Sequence, residues 1–413
     1  MRQACLFSQV EFETHGGATM IDTAMFEALQ GDIVTWRRAV HRRPETGMAL
    51  PETCAFVRRA MSGIGVKDLK ARTGVVGLIE GTRQGKCFAI RADMDALPIQ
   101  EDTGLSFASE KPGVMHACGH DAHVAMALGA AKILAGRRSD FAGSVKFIFQ
   151  PDEESSGGAL PMILEGVLEN PSVGAILACH VGNIWPDARR SGVIGVRFGP
   201  MMASCDGLFI RVKGKGGHGA MPHLTVDSVL VAAHIVTSLQ SIVSREINPT
   251  ACGVVTIGKI SGGFAHNVIA PEVVMEGTMR SLNAETRNYL NRRLGEIARS
   301  VASAMRAEAE VRIEEGYPPA TNHPGFTRFF QGVAQEMFGA GWVGEISEPC
   351  MGAEDMAYFL ERVPGALFTL GTQSDDPRTA YPHHNPRFDI DESVLWKGAA
   401  VMAETAIAWL ATQ

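Results

Sequence analysis

The sequence predicts an α/β protein, a mixed sheet flanked by helices, with an inserted α+β domain of ferredoxin-like order. Three observations lead there. Short apolar and β-branched runs end repeatedly in carboxylates or histidine, as buried strands do when their carboxyl ends face a crevice. Helical stretches with apolar residues at 3.6-residue spacing separate these runs. From about Gly192 the texture shifts to strands at 192–197 and 207–213, a helix at 226–243, strands at 253–260 and 272–280, a helix at 284–305 and a strand at 308–314.

In chain order, residues 1–19 are read as a disordered extension, because helical periodicity begins only after Met20, with Ile21, Met25, Phe26, Leu29, Ile33 and Trp36. Pro44, in His41-Arg42-Arg43-Pro44-Glu45, ends that helix. Strands follow at 74–80 and 87–91, the second running into Asp93-Met94-Asp95. A helix with Val124, Ala127, Leu128, Ala131 and Leu134 on one stripe has Asp121 as its candidate N-cap. The strand at 144–149 leads into Gln150-Pro151-Asp152-Glu153-Glu154, and the strand at 175–179 into His180. The insert is expected over 191–314, leaving 20–190 and 315–413 as one domain. That domain closes with helices at 325–338 and 354–360, a strand at 366–371 and a helix from Asp391.

Composition narrows the function classes. A chain of 413 residues with 46% apolar content can bury two cores. Its 38 basic and 45 acidic residues give a net charge of −7 with no long run of one sign, so neither nucleic acid nor an anionic membrane is an expected partner. Eight dispersed cysteines without a Cys-x-x-Cys pair read as reduced thiols in a cytoplasm. Glu11, Glu13 and His15 interrupt the window where an export signal would be apolar, so a cytoplasmic location is expected. The apolar stretches around 124–135 and 226–236 are broken by Lys132 and His234 and are too short to span a bilayer.

The chemistry concentrates at 115–123, Met-His-Ala-Cys-Gly-His-Asp-Ala-His. Cys118 and His120 are strong metal-ligand types, and Gly119 between them permits a tight turn. Asp93, Glu153-Glu154 and His180 stand at the ends of three successive strands. If those strands are parallel, the groups meet at one sheet edge as a metal-hydrolase site. Singly, each has a plainer reading: a thiol beside a helix cap, a solvated acidic turn, a core histidine. Adjacent glutamates point apart, so one can bind a metal while the other moves a proton. Downstream, one of His383 and His384 can complete the shell, or both can be surface loop residues; spacing does not decide. In the insert, the glycine-rich stretch 214–223 carries His218 and His223, and an imidazole there can donate to a tetrahedral oxyanion.

Together these motifs, with His384-Asn-Pro, resemble the aminoacylase-like metallopeptidases, and within them the hippurate hydrolase and indole-acetyl-amino-acid hydrolase branch of amidohydrolases. The resemblance runs from about Ile21 to the C-terminus and includes Trp36, His41, Pro44 and Glu45. It implies a zinc-exopeptidase-like catalytic domain and a dimerisation domain in the inserted segment. It implies two divalent ions per subunit (zinc, manganese, cobalt or nickel) held by Cys118, His120, Glu154, His180 and His384, with Glu153 as general base. His218 would donate to the oxyanion in the neighbouring subunit's site, while Asn267 and Arg280 would hold the substrate's amide and carboxylate. The implied reaction is hydrolysis of an N-acyl amino acid, such as hippurate or an N-acetyl compound, by a homodimer or dimer of dimers. A dipeptidase or carboxypeptidase is the alternative among enzymes, and a non-catalytic metal-binding homologue the alternative outside them. Arg91-Ala92-Asp93 replaces the His-x-Asp of other branches, which fits the branch with Cys118. Asp93, Asp95, His116 and His123 are left as supporting groups.

Overall fold

The structure is a computed structural model that describes residues 23–412, so the extension at 1–19 and the start of the opening helical pattern, Met20 and Ile21, lie outside the described residues. Two compact units are present. The first runs to Met201 and resumes over Thr321–Glu348 and Asp355–Gln413; the second takes Met202–Ala320 and Pro349–Glu354.

The first unit is built on an eight-stranded mixed sheet. Its order is Lys67–Asp68, Val75–Glu80, Ala142–Gln150, Arg83–Asp93, Val173–Gly182, Gly365–Gly371, Ile194–Val196 and Val343–Glu345. The four central strands are mutually parallel, with Asp93 opposite Gln150, Arg91 opposite Ala178 and Thr369 opposite His180. Their carboxyl ends therefore open on one edge, the condition on which convergence of the strand-end groups depended. Burial of the side chains of Val173–Gly182 and Gly365–Gly371 on both faces is what near-continuous apolar runs predict for a parallel sheet covered by helices. The His120–Gly136 and Leu395–Ala411 helices pack on each other and on this sheet. Glu392–Ala411 is long and apolar enough to cross a membrane, as is Ser228–Glu246, but most of the former lies inside this core.

The insert boundary differs from 191–314. Ile194–Val196 pairs parallel with Val343–Glu345 and antiparallel with Gly365–Gly371, so it belongs to the large sheet, and the second unit begins at Met202. A three-residue strand carries no periodicity that assigns it to one sheet or the other.

The second unit has the predicted strand and helix order. Asp206–Lys213, Gly253–Gly262, Glu272–Ser281 and Glu308–Glu315 form an antiparallel sheet in which Glu272–Ser281 and Asp206–Lys213 are central. The Ser228–Ser241 and Ala284–Ala304 helices cover it, burying Val231, Ile235, Leu239, Leu290 and Leu294 against Leu208, Ile210 and Met275. Asp227 and Asn283 cap these helices by accepting N–H groups from their first turns.

Candidate metal centre

Asp95 shapes the acidic corner of the site. Its two carboxylate oxygens accept the backbone N–H groups of Glu153 and Glu154, each at 3.0 Å, so the end of one strand fixes the loop that leaves its neighbour. Cys118 lies on the loop entering the His120–Gly136 helix. Gly119 precedes that helix at φ +86°, and a β-carbon there would stand 2.5 Å from the Val181 side chain. The helix thus starts at His120. Asp121, read as its N-cap, instead occupies the first turn, fully buried, where it accepts from Arg37 Nε at 3.0 Å and pairs with His41 Nδ1 at 2.8 Å.

Hydrogen bonding assigns the imidazole nitrogens. His120 Nδ1 donates to the Asp95 carbonyl at 2.9 Å, leaving Nε2 buried without a hydrogen-bond partner. His180 Nδ1 donates to the Val181 carbonyl at 2.8 Å, which turns Nε2 toward Cys118 Sγ, 3.6 Å away. Such a bond at one nitrogen is what presents the other to a metal. His123 is different. Its Nδ1 binds Asp93 at 2.5 Å and its Nε2 accepts the Val181 N–H at 2.9 Å, so neither nitrogen remains for a cation although His123 lies among potential ligands. Asp93 in turn is held by Arg91 at 2.7 Å, and Arg91 reaches Asp355 at 2.8 Å. His116 is buried and is not among the groups able to share an ion.

Ligand atoms of Cys118, His120 and His180 lie within 4.8 Å of one another, as do those of Cys118, Glu154 and His384 and those of His120, Glu153 and Glu154. Shared members join the three sets into one cluster. Glu154 Oε1 stands 3.3 Å from His384 Nε2 and 3.8 Å from His120 Nε2. Electrostatics suit a cation. Burial, then the charges of Glu154 and Glu153, hold the Cys118 thiol well above its usual range. Burial works to lower the His120 pKa, but Asp93, Asp95 and Glu154 together raise it to about 10. Burial and the neighbouring His123 push His180 down to about 3, a neutral imidazole. A thiol, imidazoles and carboxylates around an unpartnered buried Nε2 are donors that fit divalent zinc, cobalt, nickel or manganese.

The other predicted site residues belong to the second unit. Val268 pairs with His218, and the Gly219 N–H donates to the Asn267 carbonyl at 2.8 Å, so His218 and Asn267 are neighbours. His218 is exposed, and its Nδ1 accepts the Ala220 N–H at 3.0 Å. Arg280 lies further along, on Glu272–Ser281 opposite Val254, half-buried. Sequence reasoning named Asp95 as a supporting group and His383 as a possible ligand but gave neither its partner, and it missed the Arg91–Asp355 pair: Asp95 anchors the glutamate loop and His383 lies beside Cys118. The Asp-Met-Asp ending of a strand was a signal for Asp95; the others depend on contacts remote in sequence.

A parallel sheet edge that gathers a thiol, imidazoles and paired glutamates in this way defines a metal-dependent hydrolase. The chain belongs to peptidase family M20/M25/M40, whose family model matches residues 89–408. It is 36% identical to N-acetyl-L-cysteine deacetylase of Bacillus subtilis, over 92% of this chain and 88% of that protein. It is 38% identical to thermostable carboxypeptidase 1 of Saccharolobus solfataricus, over 91% of this chain and 94% of that one. A solved dinuclear metal-binding peptidase of the M20 family from Bacillus subtilis superposes with a TM-score of 0.81 at 34% identity, covering 94% of this chain and 99% of its own.

Proposed function

We propose that the chain hydrolyses the amide bond of N-acyl amino acids, releasing a carboxylic acid and a free amino acid. The observation that carries this reading is the joined cluster of Cys118, His120, Glu154, His180 and His384, with Glu153 beside it and anchored by Asp95. Those five residues would hold two divalent ions, which when bound polarise an amide carbonyl and acidify water. Glu153, buried and next in sequence to a ligand, accepts the proton of the attacking water and returns it to the departing amine. A metal-binding homologue without turnover would have no need of that second glutamate.

Relatives named as a deacetylase and as a carboxypeptidase frame the substrate question. The deacetylase's name supports an acylated amino acid, and the carboxypeptidase's supports a peptide as the second reading. His218 is proposed as oxyanion donor to a partner subunit, with Asn267 and Arg280 binding the substrate's amide and carboxylate; a guanidinium matches a carboxylate in two-point geometry. The partner is proposed to be a second copy of the chain. Its support is the sheet edge Gly253–Gly262, where Ile260 is exposed, and the nearby exposed Phe264.

The deciding experiment is a panel of N-acetyl and N-benzoyl amino acids beside free-amine dipeptides, with added zinc or manganese and a chelator control. Chelator-sensitive release from the acylated set is the expected outcome. Cleavage confined to dipeptides would overturn the acyl-substrate reading in favour of a peptidase.

A further inference from the structure

His383, not used in the ligand set above, is the more deeply placed of the two consecutive histidines. The loop that carries them docks on the Cys118 segment, the His384 N–H donating to the Ala117 carbonyl at 2.8 Å. His384 adopts φ +62° and leaves its ring half-exposed, whereas the His383 ring turns inward and buries its Nε2. Phe388 packs on it at 4.6 Å between ring centroids and His180 meets it edge-on at 5.2 Å. Gly182, at φ +119°, forms the floor: any β-carbon there would overlap the His383 ring. Held in this way, Nδ1 lies 3.6 Å from Cys118 Sγ, and Nε2 is buried with no hydrogen-bond partner.

We propose that His383 is a positioning residue for the Cys118 sulfur, donating its Nδ1–H to the thiolate. This rests on the reading of Cys118 as a metal ligand. An N–H aimed at a thiolate fixes its direction and withdraws charge from it, and such partners set how tightly a ligand set holds its metal. The adjacent pair thereby divides its labour: His384 reaches Glu154 from the open side, and His383 supports Cys118 from the buried side.

Cobalt-loaded protein tests this through a signal independent of turnover. Wild type, His383→Phe and His383→Asn are compared for cobalt stoichiometry, for the near-ultraviolet sulfur-to-cobalt charge-transfer band, and for cobalt retention against a chelator. The Phe variant keeps a ring on Phe388 but has no N–H; Asn restores an N–H donor at the Nδ1 position. Expected are unchanged cobalt stoichiometry in all three and a band displaced to longer wavelength in the Phe variant. Cobalt retention should be about tenfold weaker there, with Asn returning toward wild type. An unmoved band with unchanged retention overturns the proposal, and so does loss of a cobalt equivalent, which would make His383 itself a ligand. If wild type shows no such band, the assignment of Cys118 as ligand fails first, separately from the role of His383. Should the Phe variant not fold, the Asn and Gln variants give the same comparison, since the Asn amide nitrogen reaches the Nδ1 position and the Gln amide nitrogen lies beyond it.

Discussion

The imidazole of His123 accepts the backbone N–H of Val181 at 2.9 Å, and this bond locks the peptide that follows His180. With Nδ1 on Asp93, His123 links a buried Arg91–Asp93 pair to a proposed metal ligand without being one itself. His123→Phe should lower metal affinity about 10- to 100-fold, the range for groups that orient a ligand. Competition with a metallochromic chelator measures it. Retained wild-type affinity would show that His180 needs no such support.

Glu153→Gln should cost at least about 100-fold in turnover, the usual contribution of a general base, while metal content stays at the wild-type level. Elemental analysis beside steady-state kinetics separates the roles. Loss of metal would make Glu153 a ligand.

Asp95→Ala removes the acceptor of the buried Glu153 N–H, which costs about 1–3 kcal/mol when left unsatisfied, and of the part-buried Glu154 N–H. Both a lower melting temperature and lower turnover are expected, because the same loop presents the base. Asp95→Asn, which keeps one acceptor oxygen, should lie between. Equal effects of the two substitutions would argue against the paired hydrogen bonds.

Arg91 is buried between Asp93 and Asp355. Truncating it to Met leaves two buried carboxylates without this partner, a change that costs about 3–5 kcal/mol where a buried pair is broken. Urea unfolding of the metal-free protein reads this directly, and a loss below 1 kcal/mol would show that other groups satisfy both acids.

His41 gives stability a pH dependence. Burial lowers its pKa, but hydrogen bonds to Asp121 and Glu101 outweigh this and raise it from 6.5 to about 9. A folded-state pKa above the unfolded one contributes stability that is fully present below pH 6.5 and is lost as pH rises through 9. The unfolding midpoint of wild type should therefore fall more between pH 6 and 9.5 than that of His41→Gln. Parallel curves for the two proteins would refute the assignment.

Much of this was legible in the amino-acid sequence because it is local. Cys118-Gly119-His120 sits on one turn, Glu153 and Glu154 are adjacent, and Asp93 and His180 end apolar runs whose patterning marks buried strands. Residue type and position thus marked Cys118, His120, Glu153, Glu154 and His180 and predicted the α/β class, whereas the choice of His384 came from the family resemblance; the strand-helix alternation after Gly192 predicted the second unit's order. Tertiary structure decided what depends on contacts across the chain. His383 and Cys118 are 265 residues apart, and only packing against Gly182 and Phe388 distinguishes the inward ring from its neighbour. His123, read from sequence as a supporting group, has both nitrogens occupied by hydrogen bonds to Asp93 and Val181, 30 and 58 residues away. The short Ile194–Val196 strand was assigned to the wrong sheet because pairing partners, not composition, settle where three residues go. Side-chain chemistry is written residue by residue, whereas tautomer, burial and register are properties of whatever the rest of the fold places alongside.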